Sequence, residues 1–173
     1  LNHLELAEMW DLYVADKKKF SPAFTLNELI EQNRRFGEEL KNPLILRLFM
    51  EVYHGRKVKG TISSINLWKD YLDLLEKQNP GSKNFLMLFA KFSLNQCDPS
   101  PELHNVYTDP ELGPYIRNTQ VNSPYFRLKR AGVLAELRRD TDVRIGFTHE
   151  GLGQYITAQV IAAEPANQSA EAI

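Results

Sequence analysis

Two prolines, each preceded by a residue that caps helices, fix where helices begin in this chain. Asn42-Pro43 is the sharper of the two. The Asn side chain can accept an orphan amide, and Pro at the first helical position forfeits no bond, because that amide has no intrahelical acceptor. Leu44, Ile45, Leu48, Phe49 and Val52 then predict a broad apolar stripe, with Gly55 as the C-terminal stop. Ser123-Pro124 repeats the device and opens a short helix to about Ala131, ended by Gly132.

The rest of the pattern is read around these two starts. A helix is expected over residues 4–15, with Leu4, Met9, Leu12 and Tyr13 as its apolar set, fading at Lys17-Lys18-Lys19 and broken by Ser21-Pro22. Thr25 and Glu28 have the spacing of a capping box, predicting a helix from about Leu26 to Leu40 that buries Leu26, Leu29, Ile30, Asn33 or Phe36, and Leu40. After Gly60, Ser63 or Ser64 caps a helix with Ile65, Trp68, Leu72 and Leu75 inward. Asn79-Pro80-Gly81-Ser82 is a turn and the expected domain boundary.

Beyond it, a helix over 84–95 points Phe85, Leu88, Phe89 and Phe92 inward, and residues 102–118 are weakly helical around Leu103, Val106, Tyr107, Leu112 and Ile116. Val133–Arg138 and Val143–Thr148 alternate like two strands joined at Asp140-Thr141-Asp142. A last helix runs from about Glu150 to Ala163, and Glu164-Pro165 ends it. The expected fold is therefore mainly α. A helical bundle domain (1–80) precedes a winged-helix domain with a small β-hairpin (81–164), and 165–173 form a disordered tail. Three helices, a hairpin and a helix are the order of a winged helix, a helix-turn-helix variant.

Composition narrows the function classes. Lys and Arg number 21 against 22 Asp and Glu, so bulk charge gives no reason to coat nucleic acid. No apolar run approaches the roughly 18 residues that span a bilayer, and the one cysteine, Cys97, fits a reducing compartment, so a cytoplasmic protein is expected. The chain opens at Leu1 with no charged-then-apolar leader, and a segment of something longer is expected.

No GxxxxGK[ST], GxGxxG, HExxH or GxSxG occurs, and His3, His54, His104 and His149 lack zinc-ligand spacing. The chain is thus expected not to catalyse by itself. Arg127, Lys129, Arg130, Arg138, Arg139 and Arg144 form a basic cluster on the third helix and the hairpin. There, a DNA-binding winged helix would meet its groove, making Arg127, Lys129 and Arg130 the candidate nucleic-acid contacts of an alternative reading. Glu136, Asp140 and Asp142 interleave, which favours local ion pairs instead.

Two segments are more specific. Lys41-Asn42-Pro43-Leu44-Ile45-Leu46-Arg47-Leu48-Phe49 is one. The other runs from Gly146 to Ala158, where His149 ends a strand and launches a helix. Together they resemble the part of STAND-class nucleotide-switch ATPases, the NACHT group in particular, that follows the P-loop core. Asn42 to Leu48 is similar to the "xxPLxLxL" segment of that family's helical domain. Phe147, His149, Leu152, Tyr155, Ile156 and Ala158 match its winged-helix pattern "FxHxxFQEYLAA", and Leu128–Leu134 is also like that domain. Gln154 stands where the family has Glu, and Gly151 and Gly153 are expected to loosen the first turn of the last helix.

The resemblance implies a mechanism. Pro43 would pack on the adenine and His149 would touch the diphosphate of bound ADP, holding the protein closed until exchange for ATP permits homo-oligomerisation. It implies ADP or ATP as ligand of the whole protein and none for this segment alone. It also implies a P-loop ATPase core of the same polypeptide as partner and a setting in prokaryotic defence, while hydropathy and the neutral charge balance lead to the expectation of no membrane and no nucleic-acid partner. A third reading, a plain helical interaction domain, leaves His149 purely structural.

Overall fold

The computed structural model describes residues 2–15, 25–54, 62–118, 123–139 and 142–163. Gly55, Gly60, Lys17–Lys19, Ser21-Pro22, the hairpin residues Asp140-Thr141 and the tail 165–173 lie outside them. The chain is mainly helical with one small two-stranded antiparallel sheet, and it divides into two compact units, Leu1–Leu74 and Leu75–Ile173. The division falls within a helix, and the turn at 79–82 belongs to the second unit.

The first unit holds α1 (His3–Ala15), α2 (Leu26–Gln32), α3 (Arg34–Glu39), α4 (Pro43–Val52) and most of α5 (Ser64–Gln78). Thr25 and Glu28 form the expected capping box, and Asn42 caps α4 through its Oδ1, which accepts the Leu44 N–H at 3.0 Å, with Pro43 in the first turn. At the core, Phe49 has Tyr53, Phe36 and Trp10 with ring centroids 4.9, 5.7 and 6.1 Å away.

Three expectations are corrected here. The helix over 26–40 is two helices, because Asn33 leaves the helical conformation (φ −148°, ψ 88°). Its Oδ1 accepts the Phe36 N–H at 3.1 Å to start α3, and its amide donates to the Ile62 carbonyl. In α1 the buried residues are Leu6 and Trp10, while Leu4 and Leu12 face outward. In α5, Ile65 is exposed and Leu67 and Tyr71 join Trp68, Leu72 and Leu75 inside.

The second unit holds α6 (Ser82–Asn95), α7 (Leu103–Thr108), α8 (Gly113–Arg117), α9 (Pro124–Arg130), β1 (Leu134–Arg139), β2 (Asp142–Phe147) and α10 (Glu150–Ala163). α6 packs along α10 and against α9. Phe85 and Phe89 are fully buried, with Phe85 against Tyr125 at 6.0 Å and Phe89 against Phe147 at 5.4 Å. Leu88 and Phe92 are half-buried, so α6 turns Leu86 and Ala90 inward where those two were expected, and Tyr107 of α7 is exposed. Ser123 Oγ accepts the Phe126 N–H to cap α9, and Gly132 ends it at φ +69°. The strands each begin and end within one residue of expectation, pairing Leu134 with Phe147 and Arg139 with Asp142. An isolated antiparallel bridge joins Glu102 to Arg144, and Ile145 N–H donates to the Pro101 carbonyl at 3.0 Å, bracing β2 against the stretch before α7.

Candidate nucleotide-contact residues

His149 occupies a junction that the backbone fixes on both sides. Immediately before it, the Thr148 N–H donates to the Val133 carbonyl at 3.0 Å, and the Thr148 hydroxyl bonds the carbonyls of Gly132 and Val133. Immediately after it, α10 begins, and the His149 carbonyl accepts the Gly153 N–H at 3.0 Å, which makes His149 the N-cap residue. The imidazole is half-buried. The first amides of α10 have no intrahelical acceptor, and they and the helix dipole favour negative charge near this end.

Gly151 and Gly153 both lie within α10. A Cβ on Gly153 would lie 3.0 Å from Cδ2 of Phe147, so the bare backbone at this position is what lets the β2 ring pack on α10. Gln154 donates to the Glu150 carboxylate at 2.9 Å, tying two residues of the first turns together.

Pro43 lies in the first unit, exposed at the start of α4, while the buried Leu46, Leu48, Phe49 and Met50 hold that helix in place. Pro43 and His149 therefore stand on different units, each at a helix start.

Three residues of the basic cluster, Arg127, Lys129 and Arg144, are engaged inside the second unit. Arg127 donates to Asn79 Oδ1 at 2.9 Å. Lys129 pairs with Glu136, whose carboxylate also accepts the Tyr125 hydroxyl, and its ammonium lies 5.4 Å from the Tyr125 ring centroid. Burial alone would raise the Glu136 carboxyl, but the bonds from Lys129 and Tyr125 and the charges of Lys129 and Arg138 outweigh it and hold Glu136 below the usual carboxylate range, while burial with the Glu136 contact pushes the Tyr125 hydroxyl well up. Arg144 bonds Asp98 at 2.8 Å and the Ser100 carbonyl at 2.9 Å. Arg130 is exposed.

Two features escaped sequence reasoning. One is an open cavity of about 360 Å³ lined by Glu102, Leu103, His104, Tyr107, Asp142 and Val143. The other is the bonding of the 79–82 turn: Glu76 accepts the N–H groups of Gly81 and Lys83 at 2.9 and 2.8 Å. The first depends on α7 and β2 meeting, which no local signal announces. The second had a signal, a carboxylate five residues before a glycine at a helix start. Among the described residues, no group of three or more His, Cys, Asp or Glu could hold a metal ion, and no helix is long and apolar enough to cross a membrane. Comparison with protein-family models, with curated proteins and with solved structures yields no match.

Proposed function

We propose that this chain is the regulatory lid and sensor portion of a STAND-type, NACHT-like signalling ATPase, with a helical domain followed by a winged-helix domain. The observation that carries the reading is the station of His149, held at the N-cap of α10 by the hairpin that leads into it. The hairpin between α9 and α10 and the bracing of β2 by Glu102 support the winged-helix assignment, although among the described residues four helices of the second unit precede the hairpin where three were expected, the stretch 102–118 being divided into α7 and α8.

In this reading the P-loop core of the same polypeptide holds ADP or ATP in the cytoplasm. His149 donates to a phosphate oxygen beside the first amides of α10, which favour the same charge. Because Thr148 is bonded to Gly132 and Val133, the backbone that carries the imidazole is held in place, and the reading requires that the imidazole's contact differ between the diphosphate and the triphosphate. A ligand shifts a conformational equilibrium only through such a difference. Pro43, rigid and exposed, offers an apolar edge to the purine. ADP keeps the lid closed, and exchange for ATP releases it and permits assembly of further copies. The chain itself carries out no chemical step.

Titration of fluorescent ADP into the native polypeptide that carries this segment tests the reading. His149→Ala is expected to weaken ADP by about 10-fold or more, the scale of one charge-assisted hydrogen bond. Pro43→Ala weakens it less. Unchanged ADP affinity in His149→Ala rejects the sensor role. The 173-residue chain alone is expected to bind nucleotide weakly or not at all.

A further inference from the structure

We propose that the outer edge of β1 is an interface between two copies of this chain, paired antiparallel about Leu137, an inference that does not rest on the nucleotide reading. The hairpin fixes which backbone groups are available. The Thr148 N–H donates to the carbonyl of Val133, its opposite number in the register, so those two residues form a hydrogen-bonded pair. Bonded and non-bonded pairs alternate along an antiparallel ladder, so Ala135, Leu137 and Arg139 turn their amides and carbonyls toward β2. Leu134, Glu136 and Arg138 turn theirs away from it. β2 obeys the same parity: Ile145, one of its outward residues, donates to the Pro101 carbonyl, so that edge of the sheet is in use. The β1 edge is not. Among the described residues, no backbone hydrogen bond or bridge reaches Leu134, Glu136 or Arg138 from outside the hairpin.

The side chains select the occupant. Glu136, Leu137 and Arg138 are all exposed, Leu137 by 48%. Charges on an edge strand ordinarily discourage an added strand. The order Glu-Leu-Arg, however, is its own complement when a second copy runs antiparallel about Leu137. Glu136 then stands opposite Arg138 of the copy, Arg138 opposite its Glu136, and the two Leu137 side chains face each other. Backbone parity agrees with charge. Both 136 and 138 are outward residues, so each of those pairs exchanges its N–H and C=O bonds, and Leu137 falls at the non-bonded position where side chains approach most closely. Lys129 and Tyr125 both bond Oε1 of Glu136, so Oε2 is the oxygen available to the guanidinium. Sliding the copy by two residues either way sets Glu136 against Glu136 or Arg138 against Arg138, and a slide of one residue sets outward groups against inward ones. An edge contact of this length is smaller than a standard interface, so dimerisation is expected only at about 100 μM to 1 mM.

Sedimentation equilibrium of the 173-residue chain across that range and a decade below it tests the proposal, with circular dichroism to check that each variant is folded. A reversible monomer–dimer equilibrium is expected. Arg138→Glu opposes two carboxylates in both symmetry-related pairs and is expected to weaken the dimer about 10-fold or more, and Leu137→Ser to weaken it several-fold. Cross-linking reads the register. In a Cys97→Ser background, Leu137→Cys is expected to give a disulfide-linked dimer under mild oxidation, because the two copies of that position are opposed. Ala135→Cys lies on the same face of β1, but its two copies are about 14 Å apart along the strands, so it is expected to give none. A chain that stays monomeric throughout overturns the proposal, as does a dimer that Arg138→Glu leaves at full strength. Equal cross-linking at positions 135 and 137 overturns it too.

Discussion

The carboxylate of Glu76, in the last turn of α5, accepts the backbone N–H of Gly81 at 2.9 Å and, through its other oxygen, that of Lys83 at 2.8 Å. Gly81 precedes α6 and has no side chain to cap it, so Glu76 supplies the acceptor that a Ser or Asp at that position would provide. On the same turn Arg127 bonds Asn79 at 2.9 Å. The turn expected to be the domain boundary is a bonded corner of the second unit.

Glu76→Ala is therefore expected to lower stability by about 1 kcal/mol, the usual worth of a lost helix cap, measured as a shift in urea midpoint. The bonds from Gly81 and Lys83 hold the Glu76 carboxyl below its ordinary 4.5. A carboxyl with a lowered native pKa contributes stability above its unfolded value and loses it as pH falls through the native one. The difference between the wild type and Glu76→Gln should thus be full near neutrality and shrink below about pH 4.5. A gap that stays constant down to pH 3 would place the stabilisation elsewhere.

Gly81→Ala and Gly132→Ala separate two effects of glycine. Both residues have positive φ, +88° and +69°, and each alanine carries the left-handed cost of about 1–2 kcal/mol. At Gly132 a Cβ would meet nothing within 4 Å, whereas at Gly81 it would lie 3.3 Å from Pro124 Cγ. Gly81→Ala is expected to be the more destabilising in thermal melts. Equal losses would mean that the start of α9 yields without cost.

Asn33→Ala removes the cap of α3 and the donor to Ile62 together, with an expected loss of about 1–2 kcal/mol. Asn33→Asp keeps an acceptor for Phe36 but faces the Ile62 carbonyl with a carboxylate oxygen. Its destabilisation should therefore grow from pH 3 to pH 7, when the side chain ionises. Urea titrations at both pH values check this, and a pH-independent loss would contradict the Ile62 contact.

Asn33 also shows where the sequence stops being legible. Helix starts at Thr25, Asn42 and Ser123 are written in adjacent residues, and so is the hairpin, because caps and strand alternation are local chemistry. The break at Asn33 depends on a carbonyl 29 residues away. The apolar pattern of α1 points to Leu4 and Leu12 for its inward face, but leucines lie on both sides, and the Trp10 contact with Phe49 turns Leu6 inward instead. The stations of Pro43 and His149 at helix starts follow from their neighbours. Arg127 and Arg144 bond residues 48 and 46 positions away, and the interleaved acids pointed correctly to the local pairing of Lys129 with Glu136.

Gly153 gives a prediction whose sign depends on one neighbour. In an exposed helix, Gly→Ala stabilises by about 1 kcal/mol. Here the new Cβ would lie 3.0 Å from Cδ2 and 3.2 Å from Cγ of Phe147, whose ring packs against Phe89 at 5.4 Å. Forcing a methyl into such a contact typically costs about 1–3 kcal/mol, so Gly153→Ala is expected to be net destabilising. In a Phe147→Ala background the obstacle is gone, and the same substitution should stabilise by its helix propensity. The double-mutant cycle thus reverses sign if the Phe147 ring sets the α10 approach. Destabilisation of similar size in both backgrounds would mean that the constraint lies in the backbone of the His149 turn itself.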